Sequence, residues 1–209
     1  MKLYIYEHCP FSARVRYVAG MLNIPLTLIY LDYDDDKTTN EIIGAKQVPL
    51  LIKDDGEALA ESLDIIQYFI SLAKSNETIE ISSDVLEWQK SAFRPLQKIG
   101  YPRWPHMALP EFETYSARQA WQEKKESDEL NFDKLLQDTP NIAREVESLI
   151  KQARMLLLLE ASQPLRLIDA AIMFSILRSF FSAPEIQWDQ TVKDWMESAS
   201  VKTHISLLK

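Results

Sequence analysis

The hydrophobic period of this chain changes once, near residue 73, and that change limits what it can fold into. Before it, short strand-like runs alternate with helical ones. Leu3 and Ile5 alternate within residues 2–6, the pattern of a strand. A loop with Cys9-Pro10 follows. Val15, Val18, Ala19 and Leu22 then fall at i, i+3, i+4 and i+7, one face of a helix, with Pro25 after its end. Residues 26–31 read as a second strand and 32–36 as a solvated acidic loop. A short helix around 40–43 stops at Gly44. Val48-Pro49 leads into a third strand at 50–52. Asp55-Gly56 is a strong hairpin signal, with residues 58–60 as the returning strand. Ser62 opens a helix that carries Ile66, Phe69, Ile70 and Ala73 on one face. The order β-α-β-α-β-β-α predicts a mixed sheet with helices packed on it.

After residue 73 the period is helical nearly throughout. Residues 74–84 are polar and read as a linker. Helices are expected near 85–99, 111–126, 141–160, 167–180 and 190–199, with Pro95, Pro102, Pro105 and Pro110 breaking or kinking the first part. The expected organisation is an α/β domain over 1–73, a linker over 74–84 and an all-α domain over 85–209.

Composition excludes several functions. Hydrophobic residues make up 46% of the chain, enough for a sizeable core, and the net charge is −8. Neither half is basic, so neither nucleic acid nor an anionic membrane surface is an expected partner. The single cysteine, Cys9, cannot form an internal disulfide. Residues 1–8 lack the apolar stretch and cleavage site of a signal peptide. The apolar run at 155–159 is far short of the roughly 20 residues that span a bilayer. A cytoplasmic location is therefore expected. His8, His106 and His204 have no metal-ligand spacing, and no metal is expected. Loop position makes His8 an ordinary histidine that tunes the neighbouring thiol at most. Arg14 and Arg16 are expected to solvate the first helix and add positive potential near Cys9. The five tryptophans, Trp88, Trp104, Trp121, Trp188 and Trp195, are read as core and interdomain packing.

Cys9 carries the chemistry. It sits where a strand ends and a helix begins, with Pro10 suited to the first helical turn. Free amides at a helix N-terminus favour an anion, so a lowered Cys9 pKa and a reactive thiolate are expected. Ser12 lies three residues on, on the same face, and its hydroxyl or amide is placed to donate to the sulfur. Val48-Pro49 is compatible with an ordinary strand-start proline or with a cis bond turning the Val48 backbone toward a ligand. Glu61-Ser62 is compatible with a simple N-cap at Ser62 or with a carboxylate-binding helix start.

Taken in order, Cys9-Pro10-Phe11, Lys46-Gln47-Val48-Pro49 and Glu61-Ser62-Leu63-Asp64-Ile65 resemble the glutathione site of the glutathione-transferase superfamily. The chain is most similar to its two-domain bacterial glutaredoxins. The likeness continues through Phe112-Glu113-Thr114, Ser116-Ala117-Arg118, Lys124-Lys125-Glu126, Leu177-Arg178-Ser179 and Leu207-Leu208. The resemblance implies a thioredoxin-like N-terminal domain, an all-helical C-terminal domain and glutathione as cosubstrate. It implies that Cys9, flanked by Pro10 and Phe11, faces the glutathione sulfur. It further implies that Val48, before a cis Pro49, pairs with the tripeptide backbone, and that Glu61 and Ser62 hold the γ-glutamyl end. Lys37 is a candidate for the glycine carboxylate.

Two departures stand out. The family's usual active site is Cys-Pro-x-Cys, and here Ser12 replaces the second cysteine. Superfamily members also often place Ser or Thr three residues before a buried Asp as an N-cap. Asp169 is present, but position 166 is Arg, so that helix start is expected to be weaker by about 1 kcal/mol.

The implied function is a glutathione-dependent thiol-disulfide oxidoreductase of monothiol type. Its expected partners are glutathione and glutathionylated proteins or small disulfides, and the expected state is a monomer. Two alternatives are a cysteine-type transferase resembling the omega class, which also carries Cys-Pro-Phe, and a non-catalytic binding module on the same fold.

Overall fold

The computed structural model describes residues 1–159 and 165–209. The N-terminal part forms a four-stranded sheet, in the order β2-β1-β3-β4. Strand β1 (Lys2–Ile5) pairs parallel with β2 (Thr27–Tyr30) and antiparallel with β3 (Leu50–Ile52). Strand β4 (Ala58–Leu59) returns antiparallel to β3 through the Asp55-Gly56 turn, where Gly56 takes φ +88°. Three helices complete this part: α1 (Pro10–Met21), α2 (Thr38–Ile43) and α3 (Ser62–Leu72). Helix α2 ends where Gly44 adopts a left-handed φ of +72°, the residue type that does so without a Cβ penalty.

The regular elements of the remaining described residues are helices: α4 (Ser83–Gly100), α5 (Tyr115–Lys125), α6 (Phe132–Gln137), α7 (Thr139–Leu159), α8 (Leu167–Phe180) and α9 (Gln190–Thr203). Residue 160, the expected end of α7, lies outside the described residues. Helix α4 covers the expected 85–99 and continues through Pro95, so Pro95 does not break it. Helix α5 begins at Tyr115 rather than near 111, because Pro110–Phe112 forms a 3-10 turn and Thr114 caps the helix. Its Oγ1 accepts from the Ala117 amide at 3.1 Å. Helix α6 was not expected. Its six residues are too short for a period to register, and its start is set locally by the Asn131 side chain.

Helix α8 is buried on all sides, as expected of a helix at the centre of a core. It packs against α1 and α4, so the first helix of the sheet domain lies on the central helix of the other half. Tyr17 meets Phe174 at 5.0 Å there. Trp88, Trp104 and Trp121 are buried in one core cluster that runs through both halves. At the end of α4, the Trp104 indole lies where a Cβ on Gly100 would stand, so only glycine fits.

The expected weakness at the start of α8 is offset. Arg166 makes no side-chain cap, but the linker supplies one: Glu77 Oε2 accepts from the Leu167 amide at 3.2 Å. Asp169 turns outward from its own helix and accepts from the Ser82 amide at 3.0 Å. Residues 74–84 are thus tied to α8 by hydrogen bonds rather than left as a free tether.

Candidate active site

Several of the expected residues converge on one cavity between the two halves. Cys9, Pro10, Phe11 and Val48 line it from the sheet side, and Phe93, Tyr101, Trp104 and Trp121 from the helical side; its volume is ≈ 260 Å³. Cys9 is the N-cap of α1, with Pro10 in the first turn as expected. The Val48–Pro49 bond is cis, and Pro49 is buried behind the cavity wall.

Glu61 and Ser62 do not line this cavity; they stand at the start of α3 and connect to it through Gln47. Gln47 lines the wall and donates through Nε2 to Glu61 Oε1 at 2.8 Å. Glu61, not Ser62, is the N-cap, and it holds a left-handed φ of +65°, a region that costs an L residue roughly 1–3 kcal/mol. Ser62 is therefore the first helical residue. Its amide has no intrahelical partner, and its hydroxyl makes no hydrogen bond among the described residues. Lys37 is exposed beside α2 and away from the cavity. Lys46, Lys124 and Lys125 line it instead. Lys46 is engaged, donating to the Tyr33 carbonyl at 2.5 Å and to Asp36 at 2.7 Å. Lys125 lies over the Tyr101 and Trp121 rings, 5.4 and 5.5 Å from their centroids.

The chain's similarity to known proteins agrees with this geometry. Residues 84–209 match the family "Glutaredoxin 2, C terminal domain", and residues 3–77 match "Glutathione S-transferase, N-terminal domain". Glutaredoxin 2 of Escherichia coli strain K12 is 33% identical over 210 residues, covering 100% of this chain and 98% of that protein. The chain belongs to the glutaredoxin 2 family. It is a glutathione-dependent thiol oxidoreductase by class. A solved glutaredoxin 2 from Salmonella typhimurium, in complex with glutathione, superposes with a TM-score of 0.89 at 32% identity, over 99% of this chain and 96% of that one. A glutathione S-transferase from Methylobacterium radiotolerans shares the fold, with a TM-score of 0.62 at 12% identity over 99% and 93% of the two chains.

For a glutaredoxin, the electrostatics at the nucleophile contain a correction. The Cys9 pKa is raised, not lowered. Burial beneath the helical half pushes the thiol up, and this outweighs the opposing effects of the Ser12 amide and hydroxyl, the Phe11 amide and the Arg14 charge. The helix N-terminus acts in the expected direction, but water has been removed from the sulfur. Arg14 and Arg16 are buried, not solvating α1. The Arg14 guanidinium carbon stands 4.8 Å from the Phe11 ring centroid, and Nη2 donates to Gln89 at 3.3 Å. Burial lowers its pKa to about 10, which leaves it charged at neutral pH. Cys9 reactivity is therefore expected to climb with pH beyond the usual thiol range, by about tenfold per unit while the thiol form dominates. Alkylation rate against pH checks this, and a midpoint below the ordinary thiol value would contradict it.

The second correction is His8, which is no solvated loop residue. It is 5% exposed, in a box of aromatic rings that includes Trp104, Phe112 and Trp121 at 4.9, 5.2 and 4.7 Å. Its Nδ1 meets Glu111 Oε1 at 2.6 Å. Burial alone pushes the Glu111 carboxyl up, but hydrogen bonds from the His8 ring and amide hold it below its ordinary value. Nδ1 accordingly carries the proton that faces Glu111. Sequence reasoning also missed Arg178, a buried cation that reaches Glu7. The only available signal was a charged residue inside an otherwise apolar helical run, which asks for a partner without naming it.

Proposed function

We propose that this glutaredoxin works by a monothiol route through Cys9. The observation that carries the reading is the placement of one cysteine, with Ser12 where a resolving thiol would stand, in a cavity shared by both halves. The Cys9 thiolate attacks the glutathione sulfur of a glutathionylated protein or of a small mixed disulfide of glutathione. The S–S bond breaks, the target leaves as a thiolate and takes a proton, and Cys9 is left disulfide-bonded to glutathione. A second glutathione thiolate then attacks the glutathione sulfur of that adduct. Oxidised glutathione departs and the Cys9 thiolate is regenerated; one free glutathione thiol is consumed for each target thiol released, and the other half of the departing disulfide is the glutathione carried in by the substrate. The raised pKa lowers the thiolate fraction at neutral pH, but it makes each thiolate a stronger nucleophile.

Glutathione is read as held by Pro10 and Phe11 beside the sulfur, by the Val48 backbone before Pro49, and by Glu61 and Ser62 at its γ-glutamyl end. The bound complex of the Salmonella relative supports this reading, as do the free amide and hydroxyl at the start of α3. The division into units 1–73 and 85–209 joined by 74–84, a cytoplasmic location and a monomeric state complete the proposal.

Turnover of a glutathionylated peptide tests it. Cys9→Ser is expected to remove activity entirely. Ser62→Ala is expected to raise the KM for glutathione about tenfold, the scale of a hydrogen bond to a charged group, with little change in thermal stability. A variant that melts earlier but keeps its KM would make Ser62 a purely structural residue.

A further inference from the structure

We infer that Glu111 and Arg178, both contributed by the helical half, act together as a clamp on a single peptide group just upstream of the nucleophile, separated from Cys9 by His8. This rests on Cys9 being the reactive residue. The peptide is the one joining Glu7 to His8. Its N–H donates to Glu111 Oε1 at 2.8 Å, and its C=O accepts from Arg178 Nη1 at 2.6 Å. One peptide plane is thus gripped on both sides by oppositely charged, fully buried side chains, 103 and 171 residues away in sequence.

Each arm is itself fixed. The Glu111 carboxylate takes the His8 ring as well as the His8 amide on the same oxygen, and the Glu111 carbonyl accepts from the Tyr33 amide at 3.0 Å. Arg178 Nε donates to the Ser206 carbonyl at 2.6 Å, which ties the clamp to the C-terminal segment. Its Nη2 pairs with the Glu7 carboxylate, whose other oxygen takes Arg16 at 2.8 Å.

Holding the halves together does not account for this arrangement. A continuous apolar core already joins them, and a buried ion pair adds little net stability compared with apolar packing. What two converging hydrogen bonds supply is orientation. The sheet domain's own bond at this turn, from the Cys9 amide to the Tyr6 carbonyl, is 3.2 Å long. Rotation of the Glu7–His8 plane would swing Cys9 at its N-cap position and carry the sulfur off line from a disulfide held by Val48, Glu61 and Ser62. A displacement of about 1 Å at a reacting atom is worth up to about 10²-fold in rate. The helical half is then a positioning device for the thiol, in addition to a wall of the cavity.

The test is steady-state turnover of a glutathionylated peptide by the full chain, with activity expressed per folded molecule. Glu111→Ala removes the acceptor. It is expected to lower kcat by about 10- to 100-fold while the KM for glutathione stays within about twofold. Glu111→Gln keeps an oxygen for the His8 amide and is expected to restore kcat to within about threefold of the parent. A folded Glu111→Ala protein with the parent kcat and only a lower melting temperature would overturn the clamp. So would a folded Glu111→Gln protein with a large loss of kcat, because charge rather than the hydrogen bond would then be at work. That second result decides the question even if the alanine variant does not fold. The parent protein run alongside separates the two readings, since a parent without turnover defeats the glutaredoxin mechanism as well.

Discussion

Incubated with oxidised glutathione, the protein is expected to gain one glutathione at Cys9 and to hold it until fresh thiol is added. Ser12→Cys is expected to expel that glutathione and close an internal disulfide. The difference is the resolving step. In a dithiol site a neighbouring thiolate attacks the mixed disulfide and frees the product. Ser12 is fully buried at the sulfur, but its hydroxyl is far too weak an acid to attack as a thiolate does. What it offers is a donor: its amide and hydroxyl both favour the ionised form of Cys9. Uptake is expected to speed up as pH rises, because burial holds the thiol protonated at neutral pH. Intact-mass spectrometry reads both states. Efficient reduction of a protein disulfide by the parent chain with no small thiol present would refute the monothiol route.

Arg178→Met is expected to destabilise the fold by about 3 kcal/mol, measured by denaturant titration. The guanidinium is 1% exposed and donates to the Ser206 carbonyl, the Glu7 carbonyl and the Glu7 carboxylate. Methionine fills much of the volume but satisfies none of those acceptors. Two partly buried carbonyls then lose their donor, and a largely buried carboxylate loses one of its two cations. Arg16 remains on Glu7, which places the expected loss at the lower end for a broken buried pair. Burial lowers the Arg178 pKa to about 10, so the charge is retained and the loss should be constant through neutral pH. A change below about 1 kcal/mol would mean that water replaces the missing donor.

The elements that were legible in the sequence are those set by neighbours a few residues away. The alternation in β1, the Gly44 stop, the Asp55-Gly56 turn and Pro10 in the first turn of α1 are all decided within a short stretch of backbone. Periodicity did the same for the helical character of α1 and the apolar run of α8, although α1 is buried on nearly every side and not on one face alone. Helix α6 escaped because six residues hold too few turns to show a period. Cys9-Pro10 stood out at the junction of strand and helix, while Phe11 and Val48 were named as cavity residues by the resemblance of their motifs to a glutathione site. Ser62 was also named, but its role as first helical residue and not cap depended on the backbone of Glu61.

Tertiary structure alone decided the fate of the charges. His8, Arg14 and Arg16 read in sequence as surface or loop residues, and all three are buried, as are Glu111 and Arg178. A charge leaves water only when a partner meets it, and for His8 and Arg178 that partner is 103 and 171 residues away. The Cys9 pKa divides along the same line. The helix N-terminus that favours the thiolate is local and was visible in Cys9-Pro10. The desolvation that opposes it, and prevails, arises only when the helical half closes over the sulfur.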